Sequence, residues 1–245
     1  MSPDAVSRAP GGWALFLDID GTLLEIAETP QGVHVPESLK QLLIKLSSHI
    51  DGALALISGR GLADIDRLFA PPRFCASGVH GCERRDASGN VVKAVVDAER
   101  LALVRAEIER FTSQHEGLLL EDKGYGLALH FRRAPHLEAT VLQIVTAACQ
   151  RLGPQFVVQP GKCVFEIRPA ECHKGAAIEA FMRQPPFAAR LPVFIGDDVT
   201  DEQGFAAVNA LNGVSIKVGA ETPTLARHRL KGVTDVIGWL EELAG

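Results

Sequence analysis

Apolar residues along this chain fall into two textures. In the opening third, short runs that are apolar at nearly every position alternate with stretches where apolar residues recur every three or four positions. Trp13 to Leu17 and Ala53 to Ile57 are runs of the first kind and predict strands buried on both faces, while Leu39, Leu42, Leu43 and Leu46 share one face of a predicted helix. The same rhythm returns near the end, with a helix over Lys174 to Met182 and buried strands over Val193 to Ile195 and Val214 to Val218. Alternation of this kind implies a parallel sheet covered by helices on both faces.

The middle of the chain reads differently. Leu101, Val104, Ile108 and Phe111 mark one helix, and Leu118 to Leu120 and Leu127 to Phe131 read as strands separated by a turn at Gly124 and Gly126. A second helix carries Leu137, Val141, Ile144, Val145, Ala148 and Leu152 on its apolar face, and the strands Phe156 to Gln159 and Lys162 to Ile167 follow, joined at Pro160-Gly161. The organisation expected is a lead over 1–12, an α/β core from 13–82 and 168–245, and an inserted α+β domain over 83–167. No internal repeat or low-complexity segment interrupts it.

Composition narrows the class without changing that picture. A chain of 245 residues can bury a substantial interior, and 25 basic against 30 acidic side chains give a formal charge of -5, which carries no electrostatic footprint for nucleic acid. No apolar run approaches the roughly 20 residues needed to span a bilayer, and Asp4 and Pro10 interrupt any signal-peptide core, so a cytoplasmic protein is expected. Five cysteines (Cys75, Cys82, Cys149, Cys163 and Cys172) form no C-x-x-C pair, and reduced, packing cysteines are the expectation.

The chemistry concentrates in two acidic clusters at strand ends. Asp18-Ile19-Asp20-Gly21-Thr22 leaves the first buried strand at the edge of the sheet where α/β folds bind ligands. Two carboxylates at alternate positions can serve one centre, one attacking phosphorus and the other donating a proton to the leaving oxygen. Gly21 lets the backbone approach a phosphate, and Thr22 offers a hydroxyl. An ordinary polar turn is the competing reading. A calcium loop starting at Asp18 fails because its twelfth position is Thr29, where a bidentate Glu is required. Gly161-Lys162 and Gly124-Tyr125-Gly126 lack the further glycines of nucleotide-binding loops.

The second cluster, Gly196-Asp197-Asp198-Val199-Thr200-Asp201-Glu202, follows another short buried strand. Mg2+ takes hard oxygen ligands and keeps several waters, so Asp18, Asp197 and the carbonyl of Asp20 would suffice to hold it, and it would let an anionic carboxylate approach an anionic phosphate. Ser58, just past the second strand, and Lys174, at the start of the late helix, complete a phosphate-binding set.

That ordered set resembles the haloacid dehalogenase superfamily of phosphatases. The resemblance implies that Asp18 is the nucleophile and Asp20 the general acid/base, that Thr22, Ser58 and Lys174 hold the phosphoryl group, and that Asp197, Asp198 and Asp201 join Asp18 and Asp20 around Mg2+. It also implies a HAD-like Rossmannoid core with an inserted type C2 cap. Several stretches are similar to the trehalose-6-phosphate phosphatase family: Ser58-Gly59-Arg60, Gly78-Val79-His80-Gly81, Glu121 to Gly124, His130-Phe131-Arg132, Gly161-Lys162, Glu166 to Pro169 and Gly196 to Glu202. By that resemblance Arg60, His80, Glu121, Lys123, Arg132, Lys162 and Glu166 contact substrate, trehalose 6-phosphate, and the protein is a monomer acting on a small phosphosugar. Period-two alternation does put Lys162, Val164, Glu166 and Arg168 on one strand face, and His130 and Arg132 on another, although a solvated outer face would read the same way. The sequence departs from the family in placing His173 before Lys174, where Asn is frequent. Other phosphosugars, such as sucrose phosphate or mannosyl-phosphoglycerate, a phosphomutase and a non-catalytic sugar-phosphate sensor are the alternatives.

Overall fold

A computed structural model describes residues 12–26, 32–161 and 163–245. Most of the expected lead and the candidate substrate residue Lys162 therefore lie outside the described residues. The chain runs through β1 (Trp13–Leu17), α1 (Glu37–His49), β2 (Leu54–Ile57), α2 (Leu62–Phe69), β3 (Cys75–Gly78), β4 (Glu83–Arg85) and β5 (Val91–Lys93). Next come α3 (Ala98–Thr112), β6 (Leu119–Asp122), β7 (Leu127–His130), α4 (Glu138–Leu152), β8 (Phe156–Gly161) and β9 (Val164–Pro169). It ends with α5 (Lys174–Met182), β10 (Leu191–Gly196), α6 (Glu202–Ala210), β11 (Val214–Val218), β12 (His228–Leu230) and α7 (Val233–Ala244).

Two compact units result. The larger comprises the described residues up to Val92 together with His173–Gly245, and the smaller is Lys93–Cys172. The smaller unit begins later than 83 because β4 still belongs to the larger sheet, pairing antiparallel to β3 through Ala76↔Arg85 and Gly78↔Glu83. Arg85 anchors that strand from inside, its buried guanidinium donating to both oxygens of Asp66 and to the Phe74 carbonyl.

In the larger unit eight strands run in the order β12-β11-β10-β1-β2-β3-β4-β5, and β12 through β3 are parallel. Strand β1 is central, and each of its residues is buried because both faces are covered. Trp13 stacks on Trp239 of α7 at 6.1 Å, whereas Phe16 points the other way, against Phe187 at 5.4 Å and Phe181 of α5 at 6.0 Å. The register Leu17↔Ile195 and Leu17↔Leu56 brings the carboxyl ends of β10, β1 and β2 level with one another. At this point the connections lead off in opposite directions across the sheet, and open α/β sheets form their ligand crevices there.

The smaller unit is a four-stranded antiparallel sheet, β6-β7-β9-β8, with α3 and α4 packed on it. Leu127, Leu129, Phe165 and Ile167 turn toward Leu101, Val104 and Ile108 of α3 and Val141, Val145 and Leu152 of α4. Strand β8 extends through Pro160 and Gly161, which pair with Phe165 and Val164, so the hairpin turn falls beyond the expected Pro160-Gly161 position. Among the cysteines, Cys75, Cys149 and Cys163 are free, but Cys82 and Cys172 are disulfide-bonded, which corrects the expectation of five reduced thiols. Pairing follows from what the fold brings together, and sequence spacing does not report it. Among the described residues no helix is long and apolar enough to cross a membrane.

Phe16 lies fully buried in the aromatic contact between β1 and the segment after α5. Phe16→Ala is expected to cost about 3 to 5 kcal/mol. Both tryptophans belong to the larger unit. Their fluorescence during denaturant unfolding measures this cost directly, and a loss under about 1 kcal/mol would show that the site collapses around the deletion.

Candidate active site

Five loops meet at the carboxyl ends of the central strands, and one lysine ties three of them together. Asp18 follows β1 directly, its amide donating to the Ile195 carbonyl of β10 at 3.0 Å. Lys174 opens α5 and donates to Asp18 Oδ1 at 2.7 Å and to Asp201 Oδ1 at 2.6 Å. All three groups are buried, with side-chain exposures of 6% for Asp18, 3% for Lys174 and 0% for Asp201. Charges so placed need partners at hydrogen-bond distance, and this bridge supplies them.

The remaining acceptor positions are also used. Thr22, itself buried, donates through Oγ1 to Asp18 Oδ2 at 3.2 Å, so in this state its hydroxyl orients the first carboxylate. Asp201 Oδ2 accepts from the amides of Asp197 at 3.0 Å and Asp198 at 2.9 Å, which makes it the staple of the second acidic loop. Asp198 is exposed and caps the turn Val199–Asp201.

Asp197 is different. Its Oδ1 is buried yet has no hydrogen-bond partner. Carboxylate oxygens of Asp18, Asp197 and Asp201 lie within 4.8 Å of one another. The backbone crowds the same spot: Gly21 has φ +83°, and a Cβ there would meet Asp197 Oδ2 at 2.1 Å, so only glycine fits. Burial and the neighbouring carboxylates Asp201 and Asp198 push the Asp197 carboxyl from 3.8 to about 6. Burial also holds Asp18 well above the usual carboxylate range, against the opposing pull of Lys174. Burial would lower Lys174, but Asp18 and Asp201 outweigh it and keep the ammonium charged. Clustered oxygen donors, an orphaned buried carboxylate oxygen and excess negative charge suit a hard divalent cation such as Mg2+.

The other candidates of this unit gather around the same strand ends. Ser58 is buried after β2; its amide donates to Ser77 O at 2.9 Å and its Oγ accepts from the Arg60 amide at 3.1 Å. Arg60 reaches Asp20, with Nε to Oδ2 at 2.7 Å and Nη2 to Oδ1 at 2.6 Å. His80 sits in a left-handed turn, its amide donating to Ser58 O at 3.0 Å. Sequence reading missed Lys217, a buried lysine of β11 that donates to the Asp197 carbonyl. Its signal was available: a lysine inside the apolar strand Val214–Val218, in a sheet covered on both faces.

In the smaller unit, the cross-strand register aligns Glu121, Ala128, Glu166 and Gln159 in one row. The opposite face carries the apolar residues that meet α3 and α4, so this row lies on the polar face of a half-buried sheet. Lys123 Nζ donates to Glu166 Oε2 at 3.1 Å, and His130 Nε2 lies 2.9 Å from Glu121 Oε2. That contact with His130 lowers the Glu121 carboxyl. Arg132 does not share the strand face with His130: β7 ends at His130, and Arg132 stands exposed in the following turn.

The Asp197 environment has a consequence for stability. A carboxyl raised from 3.8 to about 6 in the folded state is protonated more readily there than in the unfolded chain, so the native state binds more protons across that window. In a chelator-containing buffer, stability is therefore expected to fall as pH rises from about 4 to about 6. Asp197→Asn removes its part of this dependence, leaving a shallower slope from Asp18, and is expected to be more stable than the parent at pH 7, as read by thermal melts across the range. Parallel profiles for the two proteins would contradict the assignment.

Comparison with known proteins shows the family. The trehalose-phosphatase family profile matches residues 16–234. A probable trehalose-phosphate phosphatase of Sinorhizobium fredii is 50% identical over 221 residues, covering 89% of this chain and 82% of that protein. The trehalose-6-phosphate phosphatase of Escherichia coli is 45% identical, covering 94% of this chain and 85% of its own length. In shape the chain is similar to the C-terminal domain of trehalose-6-phosphate phosphatase from C. albicans, with a TM-score of 0.78 at 24% identity, covering 96% of this chain and 92% of that one. A haloacid dehalogenase-like hydrolase from B. subtilis also superposes, with a TM-score of 0.64 at 16% identity over 94% of this chain and 98% of that one. A match over most of its length, with relatives this close and the shared HAD-like fold, makes this chain a phosphatase that belongs to the trehalose-phosphatase family.

Proposed function

We propose that the protein hydrolyses trehalose 6-phosphate to trehalose and phosphate, completing trehalose synthesis, through an aspartyl-phosphate on Asp18. The observation that carries this reading is the buried Lys174 bridge: a nucleophile-bearing loop, a cation and a second acidic loop are held within one hydrogen-bonded unit at the sheet's ligand crevice. Family membership and relatives bearing the trehalose-phosphatase name support the substrate.

Asp18, oriented by Thr22, attacks phosphorus with one carboxylate oxygen, and the bond to O6 of the sugar breaks. Asp20 donates a proton to that oxygen as it leaves. Ser58 and Lys174 hold the phosphoryl oxygens in line. Asp20, now a carboxylate, takes a proton from water as the water attacks the aspartyl-phosphate, which releases phosphate and regenerates Asp18. Asp18, Asp197 and the carbonyl of Asp20 would hold Mg2+, with Asp198 and Asp201 shaping the loop around it, and the bound ion neutralises oxygen charge that would otherwise repel the nucleophile.

The smaller unit, on this reading, is the cap that selects the sugar. Glu121, Lys123 and Glu166 present charged hydrogen-bonding groups on the polar side of their sheet, suited to sugar hydroxyls. Arg132 and Lys162 join them on the strength of family resemblance, as does His80 in the larger unit.

Phosphate release from trehalose 6-phosphate, sucrose 6-phosphate, mannosyl-phosphoglycerate and glucose 6-phosphate, with Mg2+ and with chelator, tests the substrate and the metal together. Turnover of the trehalose ester alone, lost on chelation and in Asp18→Asn, is expected; retained turnover in Asp18→Asn rejects the covalent route. Alanine at Glu121, Lys123 or Glu166 is expected to lower kcat/KM for trehalose 6-phosphate about ten- to a hundredfold, since each charge-assisted bond is worth roughly 1.5 to 3 kcal/mol. An aryl phosphate, which has no sugar to grip, should be hydrolysed nearly as before, and equal losses on both substrates would sink the cap assignment.

A further inference from the structure

Asp20 stands beside Asp18 on a loop, its side chain 35% exposed, yet it is not left to sample its rotamers. Arg60 grips it through two parallel bonds, Nε to Oδ2 at 2.7 Å and Nη2 to Oδ1 at 2.6 Å. Such a fork fixes the plane and direction of a carboxylate as a single lysine could not. The Arg60 side chain is only 10% exposed, and the backbone behind it is held on several sides. The Arg60 amide donates to Ser58 Oγ at 3.1 Å, and its carbonyl accepts from the Val79 amide at 2.9 Å. The His80 ring lies so close over Gly59 that a Cβ there would meet its Cε1 and Nε2 at 2.7 Å. The turn carrying that ring has left-handed backbone at Val79 (φ +46°) and His80 (φ +54°), costly conformations for residues other than glycine and therefore imposed by the surrounding structure.

We propose that Arg60 is a positioning residue for Asp20, and that the Ser58–Arg60 loop under His80 is the fixed mount from which it acts. This rests on the reading of Asp20 as general acid and base given above, and it replaces the sugar contact that resemblance suggests for Arg60. When Asp20 takes up its proton, one of the two bonds is given up, and the other keeps the carboxyl in line with the leaving oxygen. Ser58, which faces the phosphate, and Arg60, which holds the proton donor, then belong to one rigid piece.

The test is a double-mutant cycle with Arg60→Met and Asp20→Asn, read with trehalose 6-phosphate and with an aryl phosphate whose leaving oxygen has little need of a proton. For trehalose 6-phosphate, Arg60→Met is expected to lower kcat about ten- to a hundredfold with a smaller change in KM. Its cost in kcat/KM, which excludes the shared hydrolysis of the aspartyl-phosphate, should be at least about tenfold greater with this substrate than with the aryl phosphate. In the Asp20→Asn background the same substitution should cost less than about threefold, because the group it positions is already disabled. Arg60→Lys, which can keep one bond, should recover part of the loss. A rise in KM with kcat preserved, equal losses on both substrates, or effects that multiply across the cycle would overturn the proposal and make Arg60 a substrate contact. If Asp20→Asn lowers kcat/KM, which reports the steps up to departure of the leaving group, equally for both substrates, the acid assignment fails and this inference falls with it. A normal Asp20→Asn response beside a multiplicative cycle rejects the inference alone. A cooperative thermal melt and a circular dichroism spectrum matching the parent certify that each variant is folded.

Discussion

A single buried ammonium organises the larger unit of this protein. Lys174 is charged and almost wholly out of water, a condition that is tolerable only while both Asp18 and Asp201 face it. Those carboxylates come from different parts of the chain, one at the end of β1 and one in the turn after β10. Meeting this condition brings α5 against both loops and fixes where β1 stops. Asp201 passes the constraint on, because its other oxygen collects the amides of Asp197 and Asp198 and so sets the direction of the second acidic loop. The bridge leaves the cluster with excess negative charge, which burial expresses as raised carboxyls at Asp18 and Asp197.

The surrounding structure is stiff where this charge is handled. Parallel strands packed on both faces give the loops short, unyielding roots. The glycine at position 21 admits the Asp197 carboxylate where any side chain would collide with it. Lys217 supports the same loop from below through the Asp197 carbonyl. Strained backbone at Val79 and His80 adds a further cost, placed beside Ser58 and Arg60 where fixed geometry has the most value. Such expense at one edge of the sheet is offset by the apolar packing beneath it, above all the aromatic contacts around Phe16.

The smaller unit follows another logic. Its antiparallel sheet is covered by helices on one face only, so alternate residues are released from packing and can be polar. The row Glu121, Ala128, Glu166 and Gln159 shows how this works, since small Ala128 separates two carboxylates that pair with His130 and Lys123. A surface of this kind can change its side chains without disturbing the core behind it.

Much of this was legible in the chain itself. Apolar runs flanked by helical periodicity gave away β1, α5 and β11, because a strand buried on both faces has no polar side to show. Carboxylates placed directly after such runs marked the candidate site, where Asp18, Asp197 and Asp201 come together. The alternation of Glu166 and Arg168 likewise marked a half-buried strand. Other features had no local signature. Short β4 reads as polar chain and joins the larger sheet through a buried Arg85 whose partner, Asp66, lies in another element. That Cys82 and Cys172 are disulfide-bonded is decided by the fold, which spacing along the chain does not encode. Arg132 left its expected strand face because β7 stops two residues earlier. What sequence by itself determined is therefore the set of elements and the residues able to do the chemistry, because periodicity and residue type act locally. Tertiary structure alone decided the partnerships of Lys174 with Asp201, Arg60 with Asp20 and Lys217 with the Asp197 carbonyl, because buried charges are paired by distance in space.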